Sequence, residues 1–176
     1  LRIVVADLGS AKVSTATQSV IKASLCSTLF WCAPEVLLNS DTPMDTRADV
    51  YAFGVVMWEI ATLKSPFDGI AIQAFLVSIT KYVDSPGEKH PLLRDEALYS
   101  EVPSEYVELM ASCLSADPDS RPTMVEVVKR LGEVYQGLSE IGSSCPPKSR
   151  ESQRFEVLME ELQALRRVVN RGFLHA

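Results

Sequence analysis

The stretch from Asp49 to Thr62 limits the possible folds of this chain more than any other feature. Only Asp49, Glu59 and Thr62 interrupt a run of apolar residues and glycine. A helix formed from this run would therefore carry apolar side chains on nearly every face, and such a helix is stable in water only when other elements surround it. We predict a buried helix that forms the centre of a mainly α domain.

Other segments predict three further helices, separated by turn residues. Two of them cover about 72–81 and about 104–114. The third begins after a capping box, in which Thr123 is followed three residues later by Glu126, and it should end near Gly137. A stripe of apolar residues supports this last helix: Val125, Val128, Leu131 and Tyr135.

Composition narrows the class of protein. The 176 residues, 47% of them hydrophobic, suffice for one domain with a core and a tail. A net charge of −6 argues against nucleic acid or an anionic membrane as the main partner. The longest apolar stretch, Tyr51 to Trp58, is far shorter than the roughly 18 residues that indicate a membrane span. The cysteines lack the paired spacing of a zinc site or a disulfide framework, which favours reduced thiols and a cytoplasmic location: Cys26, Cys32, Cys113 and Cys145.

Four motifs follow one another along the chain. They are Asp7–Gly9 (Asp-Leu-Gly), Leu29–Glu35 (Leu-Phe-Trp-Cys-Ala-Pro-Glu), Asp49–Gly54 (Asp-Val-Tyr-Ala-Phe-Gly) and Asp117–Pro122 (Asp-Pro-Asp-Ser-Arg-Pro). Each alone is weak evidence, but in this order they resemble the C-terminal lobe of protein kinases. The resemblance implies a helical lobe from a protein that transfers the γ-phosphate of ATP to protein hydroxyls.

The resemblance covers residues 1 to about 138 and starts just before Asp7, the position that corresponds to the metal-binding aspartate of kinases. The catalytic loop of a kinase, with its His-Arg-Asp motif and metal-binding asparagine, would come before Leu1, and no such motif occurs in the chain. We therefore expect a truncated kinase domain that is inactive by itself. Two other interpretations stay open: a pseudokinase or scaffold lobe that binds proteins without catalysis, and a free-standing helical interaction module made by truncation.

Asp7 is the candidate metal ligand. A β-branched run at 3–6 predicts a short strand that ends at Asp7. The resemblance implies that this carboxylate holds Mg²⁺ against the β- and γ-phosphates of ATP, since Mg²⁺ prefers hard oxygen ligands. Leu8 takes the place of the usual phenylalanine and keeps an apolar side chain before Gly9. An ordinary turn is the alternative for these three residues taken alone.

The motif Ala33-Pro34-Glu35 resembles the end of a kinase activation segment. The resemblance implies that Glu35 pairs with Arg121 in a buried, bidentate contact that attaches this segment to the helical core. Two exposed, unrelated charges are the alternative. Asp49 would begin the buried helix, where the helix dipole favours an acid; the resemblance adds that Asp49 accepts backbone hydrogen bonds from the catalytic loop.

Thr28 and Trp31 together resemble the tyrosine-kinase-like branch of serine/threonine kinases, in which the threonine supports the catalytic base. Ser27 stands where a glycine is usual. The region before Trp31 is rich in hydroxyls, and phosphate on one of them could order a loop by pairing with arginine or lysine. A solvated loop is the plainer alternative for these candidate sites: Ser14, Thr15, Thr17, Ser19, Ser24, Ser27 and Thr28.

The C-terminal tail has no counterpart in a kinase domain. Residues 139–152 have the composition of a Pro/Ser-rich linker. Residues 153–171 predict an amphipathic helix that either packs on the domain, is only marginally ordered, or binds a partner, including a second copy. A partner would bind through a short coiled-coil seam: Phe155, Leu158, Leu162, Leu165 and Val169. His90 and His175 have no partner at nucleophile or metal spacing, so we expect both to be exposed and inert.

Overall fold

The computed structural model describes residues 29–38, 45–85, 87–100, 102–142 and 160. The chain divides into two units, residues 20–124 and residues 1–19 with 125–176. Every regular element in the described part is helical, which confirms the predicted mainly α lobe. The α-helices are α1 (Pro34–Leu38), α2 (Thr46–Thr62), α3 (Ile72–Asp84), α4 (Ser104–Cys113) and α5 (Met124–Gly142).

Helix α2 lies at the centre of the unit formed by residues 20–124, as the sequence predicts. No residue from Val50 to Thr62 is exposed, and the side chains of Tyr51 and Met57 are completely buried. The helix begins at Thr46, one turn earlier than Asp49, because Asp45 with its extended backbone precedes the first turn. The apolar run therefore identified the buried part of α2 but not its N-terminal turn, in which Thr46 is exposed and Ala48 is buried.

Helix α4 packs closely against α2, and Gly54 makes this approach possible. A Cβ atom on Gly54 would lie 2.9 Å from Cys113 Cβ and 3.0 Å from Leu114 Cγ. Tyr106 fixes the same pair of helices, because its hydroxyl donates a 2.9 Å hydrogen bond to the backbone oxygen of Met57. A larger residue at position 54 would force the two helices apart.

Helix α5 extends further and faces differently than the sequence predicts. It begins directly after Thr123, as the capping box indicates, but it runs to Gly142 rather than ending near Gly137. Between 124 and 137 its buried apolar side chains are those of Val127, Leu131 and Val134, whereas Val125 is 67% exposed. The predicted stripe was thus right at Leu131 and wrong at Val125, while Val128 and Tyr135 are half-buried. Neighbouring valines allow two helical registers, and only packing decides between them.

Two predicted elements lie outside the described residues. One is the strand at 3–6, and the other is the tail from 143 onward apart from Glu160, which is helical. The domain boundaries at 138/139 and 152/153 stay predictions. Within the described residues, no helix has both the length and the apolar character needed to cross a membrane.

Candidate functional site

The motif around Glu35 folds into two short consecutive helical turns. A 3₁₀ turn at Leu29–Trp31 is followed by α1, which starts at Pro34. Proline suits the first helical position because its missing N–H would have no intrahelical partner there. Ala33 and Pro34 are buried, so the backbone of this motif is fixed and the Glu35 carboxylate is held in place.

Glu35 and Arg121 form a bidentate ion pair, although they are 86 positions apart in the sequence. Arg121 Nη1 donates to Glu35 Oε1, and Arg121 Nη2 donates to Glu35 Oε2, each at 2.7 Å. The Arg121 side chain is fully buried, and that of Glu35 is 18% exposed. This is the contact that the two sequence motifs predict, and two parallel charge-assisted hydrogen bonds give it a defined geometry.

Backbone oxygens satisfy the rest of the Arg121 guanidinium. Nε donates to the oxygen of Ser115 at 2.9 Å, and Nη1 also donates to the oxygen of Arg47 at 2.9 Å. Among the described residues, no buried side-chain nitrogen or oxygen lacks a hydrogen-bond partner. The buried charge therefore meets the two conditions under which such a charge is tolerated, an opposite charge and a hydrogen bond from each guanidinium nitrogen.

The turn before Arg121 explains why the Asp-Pro-Asp-Ser-Arg sequence places the guanidinium here. Residues Pro118–Ser120 form a 3₁₀ turn that Asp117 caps, since its carboxylate accepts from the backbone N–H of Asp119 at 3.1 Å and from the hydroxyl of Ser120 at 2.7 Å. Asp119 also forms an ion pair with Arg47 in the first turn of α2. The turn is thus attached to the N-terminal end of α2.

Tyr51 connects this ion pair to a buried histidine. The Arg121 guanidinium carbon lies 5.1 Å from the centroid of the Tyr51 ring, within the range of a cation–π contact. The Tyr51 hydroxyl lies 2.8 Å from His90 Nε2. His90 Nδ1 accepts from the Leu92 backbone N–H at 3.2 Å. Neutral His90 therefore carries its proton on Nε2 and donates it to the Tyr51 oxygen.

His90 was predicted to be exposed, and this prediction is wrong because the residue is only 2% exposed. The prolines around it suggested a surface loop, whereas the 3₁₀ turn Pro91–Leu93 places its ring in the core. Burial, with a smaller contribution from the Arg94 charge, lowers the pKa of His90 to about 3. Burial raises the pKa of Tyr51 as well. Both groups are therefore neutral at physiological pH.

Trp31 has a hydrogen-bond partner that the sequence motifs do not predict. Its indole Nε1 donates to Glu59 Oε2 at 2.8 Å, and the neighbouring Phe30 ring packs edge-on against Phe75, with 4.9 Å between centroids. The signal for this contact was present, since Glu59 is an acid inside the apolar run of α2. Trp31 and Phe30 attach the Leu29–Trp31 turn to α2 and α3.

The Cys32 thiol and the Asp49 carboxyl both have raised pKa values. Burial, followed by the nearby Glu35 carboxylate, raises the pKa of the Cys32 thiol, so the thiol stays protonated. Asp49 lies in the first turn of α2 but does not begin the helix, and desolvation followed by the Asp45 charge raises the pKa of its carboxyl. The proposed contact of Asp49 with a catalytic loop stays a prediction.

The predicted catalytic and modification sites lie outside the described residues. These are the metal ligand Asp7 with Leu8 and Gly9, and all seven candidate phosphorylation sites up to Thr28. Within the part of the chain that the structure describes, no group of three or more His, Cys, Asp or Glu side chains could hold a metal ion. The assignment of Asp7 as a Mg²⁺ ligand stays a prediction.

Comparison with known proteins assigns this chain to a family. A family model described as "Protein kinase domain" matches residues 2–131, which include Asp7, Glu35 and Arg121. The chain belongs to the protein kinase family. The predicted resemblance is thereby confirmed, and the Glu35–Arg121 contact lies in the helical lobe of a kinase domain.

Individual relatives agree with this assignment. The chain is 35% identical over 141 residues to "Putative serine/threonine-protein kinase/receptor R826" of Acanthamoeba polyphaga mimivirus, an alignment that covers 80% of this chain and 8% of that protein. It is 34% identical over 115 residues to "Putative mitogen-activated protein kinase kinase kinase 7-like" of Drosophila melanogaster, covering 65% and 28%. It is 31% identical over 133 residues to "Probable serine/threonine-protein kinase drkA" of Dictyostelium discoideum, covering 76% and 18%. The kinase chain therefore spans less than a third of the length of these relatives.

Proposed function

We propose that this chain is the activation segment and helical C-terminal lobe of a longer serine/threonine protein kinase, which transfers the γ-phosphate of ATP to protein hydroxyls. The observation that supports the proposal most strongly is the bidentate, buried contact between Glu35 and Arg121. It fixes the end of the activation segment on the lobe, and phosphoryl transfer depends mainly on such positioning together with electrostatic stabilisation.

In this proposal Asp7 is the residue of the chain that takes a direct part in phosphoryl transfer, as a ligand of Mg²⁺. A protein kinase domain uses ATP and Mg²⁺ in general, and an aspartate in the Asp-Leu-Gly motif would supply a hard oxygen ligand for the ion. Glu35 and Arg121 support the substrate site without taking part in the chemistry. Protein substrates and ATP are the partners that follow. The cytoplasmic location, and association through residues 153–171, remain predictions from sequence.

The choice of serine and threonine over tyrosine depends on Thr28 and Trp31, and on the names of the relatives, which include serine/threonine-protein kinases. Phosphoamino acid analysis tests it: the full-length protein containing this chain is incubated with Mg²⁺, γ-labelled ATP and a mixture of protein substrates. We expect phosphoserine or phosphothreonine, and phosphotyrosine as the main product would contradict the assignment. Under the same conditions the isolated chain should transfer no phosphate, because these residues contain no His-Arg-Asp motif.

A further inference from the structure

A groove of about 860 Å³ lies on the unit formed by residues 20–124. Its walls come from the loop after α2, from α3 and from the turn that follows His90, and neither Glu35 nor Arg121 lines it. This volume falls within the roughly 300–1,000 Å³ typical of pockets that bury small ligands. The groove can therefore accept the side chains of a short peptide segment.

The floor of the groove is fixed by contacts with the core. The Trp58 indole Nε1 donates to the backbone oxygen of Leu92 at 2.8 Å, which joins α2 to one wall. Phe67 packs against the buried Phe75 of α3 with 4.7 Å between ring centroids. Because these contacts exist without a partner, a segment that binds here would not have to order the groove first.

Leu63 at the rim is unfavourable for the lobe alone. It follows α2 as the C-cap with φ of 55°, in the left-handed region that favours glycine. Its side chain is 61% exposed, so the residue has a conformational penalty and also leaves apolar surface in water. Ile70, which also lines the groove, is 47% exposed. A bound apolar side chain would bury both residues, and this burial would offset the conformational penalty at Leu63.

The charges in the groove favour a basic partner. Asp68 and Asp95 line it together with one cation, Lys64. In the described part of the chain, none of these three residues takes part in an ion pair. Asp95 Oδ1 accepts from the backbone N–H of Ala97 at 3.3 Å, so the Asp68 carboxylate and the second oxygen of Asp95 remain available to a partner. The whole chain carries a net charge of −6. Repulsion between two acidic copies disfavours a second copy as the occupant and favours a cationic one.

We propose that this groove binds a short segment of a partner protein that presents bulky apolar side chains beside arginine. The apolar side chains would cover Leu63 and Ile70, and a guanidinium would pair with the carboxylate of Asp68 or Asp95, for which its planar fork is well suited. The groove does not include the residues of the phosphoryl-transfer proposal. Binding there is therefore independent of whether the parent is an active kinase or a scaffold.

Fluorescence anisotropy with labelled heptapeptides tests the chemistry of the occupant on the full 176-residue chain. The first peptide, Ser-Arg-Phe-Arg-Leu-Ser-Gly, has both predicted features. The second replaces both arginines by glutamate, and the third replaces phenylalanine and leucine by serine. We expect the first to bind at least about tenfold more tightly than either control, since each control lacks one of the two interactions.

Variants of the chain locate the binding site. Leu63→Gly should weaken binding of the first peptide about tenfold, the effect of one buried apolar side chain, while the thermal midpoint stays equal or rises. Val83→Ser is the matched control, because Val83 is an exposed apolar residue of α3 that does not line the groove. The double variant Asp68→Asn with Asp95→Asn should weaken binding and reduce its salt dependence, whereas Glu108→Gln on α4 should do neither.

Each of four outcomes would overturn the proposal. One is that a peptide with glutamate or serine binds as tightly as the first, and a second is that no peptide binds at millimolar concentration. The third is that Leu63→Gly weakens binding no more than Val83→Ser does. The fourth is a dimer in analytical ultracentrifugation that Leu63→Gly abolishes, because the groove would then be an interface between copies of this chain.

Discussion

Removing either member of the Glu35–Arg121 pair should destabilise the lobe by several kcal/mol, and the two losses should not add. Glu35→Gln removes the opposite charge from a fully buried guanidinium, which keeps one amide oxygen at position 35 and the backbone oxygens of Ser115 and Arg47 as acceptors. Breaking a buried pair costs on the order of 3–5 kcal/mol, and the remaining carbonyl contacts place this variant near about 3 kcal/mol. Arg121→Met strands a carboxylate that is 18% exposed and keeps some hydration. It also removes the donors to Ser115 and Arg47, at about 1 kcal/mol each, so we expect about 4 kcal/mol.

The double variant removes both charges and should lose about 5 kcal/mol, which corresponds to a coupling of about 2 kcal/mol between the two sites. Urea unfolding of the four proteins, followed by tryptophan fluorescence, measures all of these values. The exposed pair of Arg94 and Glu88, whose side chains are 44% and 38% exposed, is the matched control and should show a coupling of less than about 1 kcal/mol. Additive losses at Glu35 and Arg121 would refute the reasoning, since they would mean that the two side chains do not interact.

Two further changes test the packing and the buried histidine. Gly54→Ala should destabilise the chain by about 1–3 kcal/mol in urea unfolding, because the new Cβ would lie 2.9 Å from a side-chain atom of α4; Gly137→Ala in α5, where a Cβ meets no atom within 4 Å, should instead be neutral or stabilising. His90 has a pKa of about 3 in the folded chain and about 6.5 when unfolded, so its contribution to stability is complete above about pH 6.5 and is lost as the pH falls towards 3. Measured between pH 6 and 4, His90→Gln should have a pH slope of unfolding free energy smaller by about 1.4 kcal/mol per pH unit, and an unchanged slope would show that His90 is not buried.

The features that could be predicted from the sequence are those with strong local patterns or fixed motif order. The buried part of α2 followed from an apolar run that no exposed helix could carry. The pairing of Glu35 with Arg121 followed from two motifs that occur in kinases, not from any local property of either residue. The start of α5 after Thr123 followed from a capping box, whose hydrogen bonds form within one turn.

Long-range contacts account for what the sequence did not show. The burial of His90 depends on Tyr51, which is 39 positions away, while the adjacent prolines favour a surface loop. The contact of Trp31 with Glu59 joins two separate motifs. In α5, Val125 and Val127 suit alternative registers of one helix equally well, and the burial of Val127 is decided by packing. Leu63 has a backbone conformation that its side chain gives no reason to expect.

The most direct test of the central claim, that this chain supplies part of an active kinase, is the rate of phosphate transfer by the full-length protein with Asp7→Asn. The account predicts that transfer from γ-labelled ATP falls by orders of magnitude while the thermal midpoint stays unchanged, because the variant lacks a charged Mg²⁺ ligand. Asp84→Asn, at the exposed end of α3, is the matched control and should keep full activity. Wild-type turnover by the Asp7→Asn protein would contradict the assignment of Asp7, and the absence of transfer by the wild-type protein itself would favour a scaffold.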